Sequence, residues 1–276
     1  MAAPSYDTLR FERDDHVGWL HLSRPEKLNA FTPTMWRELG DLGSRVGADP
    51  DLRALVVIGD GRAFSSGIDT SVFTDGTGAT SIVDDRGAGR ADPTVAAILA
   101  LQDTFTWLET APYPTIAAVH GYAFGAGLQL ALACDLRVLG VGAKLGLLEL
   151  QYGILPDLGG TQRLPRLVGP SKALQLILTG ARLDADEAAR LGLADALVPD
   201  DTVADTAGAL AATIAAQPPL AVRGVKRAVH AAVSGSSVAD GLRVEAEAQA
   251  ACLRSADMGE AIAAFVERRP PVYRGA

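Results

Sequence analysis

Two carboxylates stand in an apolar stretch of the sequence. Glu149 and Asp157 both belong to the segment KLGLLELQYGILPDLGG. Acid–base catalysis at carbon requires a carboxylate close to the substrate, and an apolar setting raises the pKa of that carboxylate. The pair is therefore a candidate for proton transfer at carbon. The alternatives are that Glu149 pairs with Arg163 or Arg166, and that Asp157 starts a turn or caps the next helix.

A short glycine motif occurs twice, each time after a predicted strand. Residues 61–67 read GRAFSSG and residues 121–127 read GYAFGAG. Small residues after a strand let the backbone approach a ligand closely, and a helix that starts there directs unpaired N–H groups at negative charge. The second copy runs into LQLALACDL, so we expect Ala126 and Gly127 at the N-terminus of a buried helix. The motif predicts an oxyanion hole, with a tight turn of small residues as the alternative.

Strand and helix patterns interleave around these candidates and predict an α/β fold. Alternating or β-rich runs predict strands at His16–Leu22, Leu52–Ile58 and Thr115–Val119. Helical patterns cover Thr34–Gly47 and Pro93–Leu108. The active site is expected where the strands end.

The later part of the chain has an almost wholly helical pattern. One helix is predicted from Ser171 to Gly180 and a second over Asp184–Leu191. We divide the chain into an α/β core with the active site, residues 1–200, and a C-terminal helical region, residues 201–276.

Composition excludes several classes of protein. The chain has 276 residues, 48% of them hydrophobic, and a formal net charge of −8. No run approaches the roughly 18 apolar residues that a membrane span needs, and the first residues are too charged for a secretory signal, so we expect a cytoplasmic protein. The acidic balance without a basic cluster argues against nucleic-acid binding. Residues 75–92 are rich in Gly, Asp, Ser and Thr, which predicts a surface loop that could act as a lid.

The remaining reactive side chains show no recognisable site. Cys134 and Cys252 have neither a paired framework nor metal-ligand spacing, so both are interpreted as buried thiols. The four histidines are scattered and interpreted as structural, and no metal is expected. One further alternative is a hydrolase, because AFSSG differs slightly from the G-x-S-x-G nucleophile motif, with Ser65 as nucleophile and His230 as the late histidine.

Five ordered blocks together resemble one known family, the enoyl-CoA hydratase/isomerase (crotonase) superfamily. The blocks are RPEKLNAF (24–31), GRAFSSGID (61–69), AAVHGYAFGAGLQLALACDLRV (117–138), ELQYGILPDLGGTQRLPRLVG (149–169) and GEAIAAFVERRPPVYRG (259–275). The resemblance implies a crotonase-like spiral of repeated ββα units followed by a C-terminal α-helical trimerisation region. It also implies an acyl-CoA thioester substrate, no cofactor apart from the coenzyme A of that substrate, and a homotrimer or a dimer of trimers.

The resemblance assigns roles to individual residues. The N–H groups of Ile68 and Ala126 would form the oxyanion hole, and Glu149 and Asp157 would be catalytic. Lys27 and Leu28 lie in the block that contacts the CoA nucleotide. The other residues that it places at the substrate are Ala63, Ser66, Gly67, Asp69, Gly125 and Gln129.

Gln129 departs from the pattern of typical hydratases, which carry a glutamate there and a second glutamate at the position of Glu149. An amide can orient water but cannot accept its proton. Glu149 with Asp157 instead resembles the acid pair of dienoyl-CoA isomerases, although those enzymes carry a further aspartate at the position of Gln129. We therefore expect double-bond isomerisation of an enoyl- or dienoyl-CoA. The alternatives are hydration with Glu149 as the sole glutamate, hydrolysis or decarboxylation of an acyl-CoA, and a non-catalytic CoA-binding scaffold.

Overall fold

The fold is taken from a computed structural model, in which the structure describes residues 5–74 and 92–276. The lid expected over residues 75–92 therefore falls, except for Asp92, outside the described residues. No helix within the described ranges has both the length and the apolar character needed to cross a bilayer.

A six-stranded sheet forms the centre of the molecule. Its strand order is β1-β2-β3-β4-β6-β9, and all neighbours are parallel except the antiparallel β1–β2 pair. The strands are β1 (Leu9–Asp14), β2 (Val17–Leu22), β3 (Ala54–Gly59), β4 (Thr115–Val119), β6 (Leu136–Gly140) and β9 (Ala196–Val198). The parallel strands end at one edge, which places the two glycine motifs side by side.

Both faces of this sheet are covered, as its continuous apolar strands require. On β3, Leu55 and Val57 belong to one core cluster, while Val56 and Ile58 belong to a second cluster with helix α8 (Val203–Ala215). Because β3 is packed between these two core clusters, the position of the turn that follows it is fixed.

A second, three-stranded sheet has the order β5-β7-β8, with bounds Tyr122–Phe124, Lys144–Gly146 and Leu183–Asp184. Here β4 and β5 are followed by a helix, and β6 and β7 are followed by the segment that carries Glu149 and by another helix. These are the repeated ββα units that the resemblance implied.

Ten further helices of the described residues surround the two sheets: α1 (Pro33–Val46), α2 (Ser71–Thr74), α3 (Pro93–Thr110), α4 (Ala126–Ala133), α5 (Gly160–Val168), α6 (Pro170–Thr179), α7 (Ala185–Arg190), α9 (Pro219–Val233), α10 (Val238–Leu253) and α11 (Ala256–Glu267). Short 3-10 turns cover Pro25–Lys27, Glu149–Tyr152 and Asp200–Thr202.

Several predicted bounds shift for local reasons. The strand expected from His16 starts at Val17, because the β1–β2 turn places Asp15 in the left-handed region. The strand expected from Leu52 starts at Ala54. The helix expected over Asp184–Leu191 begins at Ala185, because the Asp184 carboxylate caps it by accepting from the Glu187 N–H.

The part of the chain after Ser171 is less purely helical than the pattern indicated, because β8 and β9 lie between residues 183 and 198, before the predicted helical region 201–276. Helix α9 is docked by Lys226, whose ammonium donates to the carbonyls of Leu108 and Tyr113 and to the carboxylate of Asp135. The expected boundary at residue 200 falls at the 3-10 turn before α8, and α8 itself packs on the main sheet.

Candidate active site

The two glycine motifs pair directly with each other. Phe64 N–H donates to the His120 carbonyl, Ser65 N–H to the Tyr122 carbonyl and Phe124 N–H to the Ser65 carbonyl, at 2.9, 2.8 and 3.0 Å. Gly127 must lack a side chain, since a Cβ there would lie 2.6 Å from the Ser65 carbonyl oxygen. The repeat in the sequence is thus one joined structure that brings Ile68 next to Ala126.

The Ile68 N–H is directed away from its neighbouring strand. Phe31 N–H donates to the Gly67 carbonyl and Asp69 N–H donates to the Phe31 carbonyl, at 2.7 and 2.9 Å. Because the C=O and N–H of one trans peptide unit point in opposite directions, the Ile68 N–H points away from Phe31.

Ala126 supplies the second amide. It is the first residue of α4, where backbone N–H groups have no partner within the helix and the helix dipole favours negative charge. Among the described residues, no acceptor receives a hydrogen bond from the N–H of Ile68 or of Ala126. The two amides lie close together, since Gly67 directly precedes Ile68 and a Cβ at Gly67 would lie 3.8 Å from the Ala126 nitrogen. The pair has the arrangement of an oxyanion hole.

Glu149 is buried beside this pair. It opens the 3-10 turn after β7 and is 5% exposed. Its Oε1 accepts a hydrogen bond from Gln129 Nε2 at 2.7 Å, whereas its buried Oε2 has no partner among the described residues. A Cβ at Gly125 would lie 3.4 Å from Oε1. Oε2 is therefore a buried oxygen without a partner among the described residues, on a side chain that lies beside the two amides.

Burial raises the pKa of Glu149, and repulsion from Asp157 adds to that rise, while the Gln129 hydrogen bond opposes it. Burial also raises the pKa of Asp157. A base whose pKa approaches the working pH combines the correct protonation state with enough driving force for proton transfer.

Asp157 lies on a loop next to Glu149. Its backbone carbonyl accepts from Gln102 Nε2 at 2.6 Å, and its half-buried side chain is not among those that line the described cavity. It does not cap the following helix, because Gly159 occupies that position. Its effect on the site is a charge repulsion that helps to raise the pKa of Glu149.

The cavity at the oxyanion hole has a volume of about 70 Å³. Six predicted residues line it: Ser66, Gly67, Ile68, Gly125, Ala126 and Glu149. Five others were missed: Thr70, Phe124, Leu148, Tyr152 and Ile154. All five adjoin or fall within the recognised blocks. Phe124, Leu148 and Ile154 are apolar and carry no chemical signal, and the hydroxyl-bearing Thr70 and Tyr152 were not singled out by their spacing.

The remaining predicted residues lie around this cavity without lining it. Lys27 is exposed, and Leu28 beside it accepts from the Ser66 N–H at 2.9 Å, so this segment adjoins the first glycine motif. Ala63 is buried, and its carbonyl accepts from Asn29. Asp69 is not among the residues that line the cavity.

The Asp69 carboxylate pairs with Arg24 at 3.0 Å and accepts from the N–H and hydroxyl of Ser71. Those hydrogen bonds lower the pKa of Asp69 against the opposing effect of burial. Its observed contacts stabilise the turn that carries Ile68, and its role in substrate binding stays a prediction.

The competing interpretations of the acidic pair do not hold. Arg163 and Arg166 both pair with Glu109 instead of Glu149. The pKa of Glu149 is raised, which is the opposite of what an arginine partner would produce.

The hydrolase arrangement is also absent. The Ser65 hydroxyl is buried and donates to the Asn29 carbonyl, while His230 lies on α9 and pairs with Asp135. Cys134 is buried as expected, but Cys252 is only half-buried. Within residues 5–74 and 92–276, no group of three or more His, Cys, Asp or Glu side chains is arranged to hold a metal ion.

Comparison with known proteins gives one family over nearly the whole chain. A family model described as enoyl-CoA hydratase/isomerase matches residues 12–276. Crotonyl-CoA hydratase of Syntrophomonas wolfei is 33% identical over 266 residues, covering 96% of this chain and 97% of the relative. (E)-Benzylidenesuccinyl-CoA hydratase of Thauera aromatica is 35% identical over 271 residues, covering 96% and 98%.

A solved structure gives the same result for the fold. Enoyl-CoA hydratase from Bacillus anthracis superimposes with a TM-score of 0.86 at 32% identity, covering 98% of this chain and 100% of the other. The chain therefore belongs to the enoyl-CoA hydratase/isomerase family, and the expected crotonase-like α/β fold is confirmed. Membership makes it an enzyme of the hydratase or isomerase type, which leaves the non-catalytic scaffold without support.

Proposed function

We propose that this enzyme isomerises a carbon–carbon double bond in an enoyl- or dienoyl-CoA thioester. The observation that carries the proposal is the setting of Gln129. Its carbonyl oxygen accepts from the N–H groups of Leu158 and Gly160, and its amide N–H donates to Glu149. No acceptor remains there to take a proton from water, so the site holds a single carboxylate at the oxyanion hole.

The reaction needs two proton transfers and no net change in mass. Glu149 Oε2 removes a proton from carbon, and the electron pair of the broken C–H bond shifts through the conjugated system onto the thioester oxygen. The N–H groups of Ile68 and Ala126 stabilise that oxygen. Asp157 takes up a proton from solvent and returns it at a different carbon, for which its side chain must turn into the cavity. Glu149 releases its proton to solvent, so both carboxyl groups recover their starting states. Each donor of such a pair contributes about 3–4 kcal/mol in enzymes where one has been removed.

Hydration is the second candidate, because the relatives from Syntrophomonas and Thauera are named as hydratases. In this scheme the second hydrogen of Gln129 Nε2 would orient a water and Glu149 alone would activate it. The O–H and hydrogen of that water would add across the double bond, with a gain in mass of one water.

The test incubates the purified enzyme with crotonyl-CoA, a 3-enoyl-CoA and a 3,5-dienoyl-CoA, following absorbance and product mass together. A shifted double bond at constant mass, lost in Glu149→Gln, is the expected result. Addition of water to crotonyl-CoA without any isomer from the other two substrates would overturn the isomerase and select hydration.

We also propose that the enzyme assembles as a homotrimer or a dimer of trimers through its C-terminal helices. Large apolar side chains are exposed on α11, including Phe265 at 85% and Val266 at 73%. Apolar surface of this kind favours a contact with another chain. Location in the cytoplasm and the absence of a cofactor beyond coenzyme A stay predictions.

A further inference from the structure

The Gln129 side chain joins two parts of the site that are distant in sequence. Its Oε1 accepts from Leu158 N–H at 2.8 Å and Gly160 N–H at 2.9 Å, and its Nε2 donates to Glu149 Oε1 at 2.7 Å. Two N–H donors on one atom identify that atom as the carbonyl oxygen, so the amide cannot be turned around. The amide group of Gln129 therefore has one orientation.

We propose that Gln129 is a positioning residue that locks Glu149 to the backbone of the Asp157 loop and leaves Oε2 as the one oxygen free for proton transfer. The proposal rests on the use of Glu149 as the base. It goes further than that function, because it explains why an amide stands where a second acid would be expected.

The loop does not depend on Gln129 alone for its own position. Gln102 donates to the Asp157 carbonyl at 2.6 Å, and Arg163 donates to the Leu158 carbonyl at 3.0 Å. Both tethers reach the loop without touching Glu149. What Gln129 adds is the connection from this fixed backbone to the carboxylate.

This connection favours the ionised form of the base. Gln129 donates to the Glu149 carboxylate, which lowers the pKa of Glu149, while burial and the charge of Asp157 raise it. Among the described residues, Asp157 is the charged group that acts on Glu149. Removal of the Gln129 donor should therefore raise the pKa of Glu149 further.

The experiment measures exchange of the α-protons of butyryl-CoA in D2O against pH. This exchange needs only the base and the oxyanion hole, so it is independent of isomerisation. In Gln129→Leu we expect the acid limb of the exchange profile to move to higher pH. The exchange rate should fall by a factor about tenfold larger on that limb than at the high-pH plateau. Gln102→Leu, which removes a loop tether without touching Glu149, should leave the limb in place.

A second variant covers the case in which Gln129→Leu does not fold. Gln129→Glu keeps an acceptor for Leu158 and Gly160 but replaces the donor by a carboxylate, so its acid limb should also move to higher pH. The proposal would be overturned if the acid limb stayed in place in both Gln129 variants, or if Gln102→Leu moved it as far as they do. It would also be overturned if the unmodified enzyme catalysed no exchange. Exchange without isomerisation would overturn only the proposed function.

Discussion

The environment of the Glu149 side chain could be predicted in part from its neighbours in the sequence. The leucines around it predicted an apolar setting, and the structure confirms that the residue is buried. The sequence could not show which oxygen is free, because that depends on Gln129, twenty positions earlier, and on the backbone of Leu158 and Gly160. These contacts exist only after the chain has folded.

Burial of this carboxylate should cost stability in a pH-dependent way. The folded-state pKa of Glu149 is raised, so its contribution to folding is most favourable at low pH and is lost as pH rises through that pKa. We expect Glu149→Gln to be more stable than the unmodified chain at pH 8, by the order of 1 kcal/mol, because it removes a buried charge. The difference should shrink toward pH 4. Urea unfolding at a series of pH values measures it.

A matched control separates this effect from general charge removal. Glu245 lies exposed on α10, and Glu245→Gln should change the free energy of unfolding little at any pH. If the stability gained by Glu149→Gln grew toward low pH, burial of the ionised carboxylate could not be its cause.

At the scale of elements, the position of the oxyanion hole followed from two repeated turns. The glycine pattern predicted both turns, and the end of a strand predicted where they lie. It did not predict that the turns hydrogen-bond to each other through Ser65, nor that Phe31 brackets Ile68 from the other side. Such pairing between separate segments has no local signature, which is why the orientation of the Ile68 N–H could not be predicted from the sequence.

Gly67→Ala should disable the site through these turns. Gly67 has φ of +103°, and a Cβ would lie 2.9 Å from the Phe124 carbonyl oxygen, next to the Ala126 N–H. Displacement of one donor should lower kcat by about 10²–10³-fold. Steady-state turnover of whichever CoA thioester proves active gives the measurement.

Gly235→Ala is the control for backbone strain. Gly235 also has a positive φ, +83°, but no atom lies within 4 Å of the added Cβ, and the residue is in the turn between α9 and α10. The Gly235→Ala enzyme should therefore have a lower free energy of unfolding and an unchanged kcat. Equal losses of kcat in the two variants would mean that strain, and not the displaced amide, limits Gly67→Ala.

At the scale of the whole molecule, the α/β class could be predicted because both sheet faces and most helices carry periodic patterns. Of the strands in the described residues, β1 and β5 to β9 were not predicted. Four of them, β5, β7, β8 and β9, have three or fewer residues and are too short to show a period, whereas β1 and β6 are longer strands that the pattern did not identify. The buried contacts of Lys226 on α9 were missed as well, because its partners Leu108, Tyr113 and Asp135 come from distant segments.

The exposed face of α11 gives the prediction for assembly. Phe265 is 85% and Val266 is 73% exposed in the isolated chain, and burial of such side chains contributes about 25 cal/mol per Å². Light scattering should therefore give the mass of three or six chains, and Phe265→Asp should shift it toward one chain because a carboxylate resists burial. Val141→Asp, at an exposed valine between β6 and β7, should leave the mass unchanged. A single-chain mass for the unmodified enzyme would contradict the trimer.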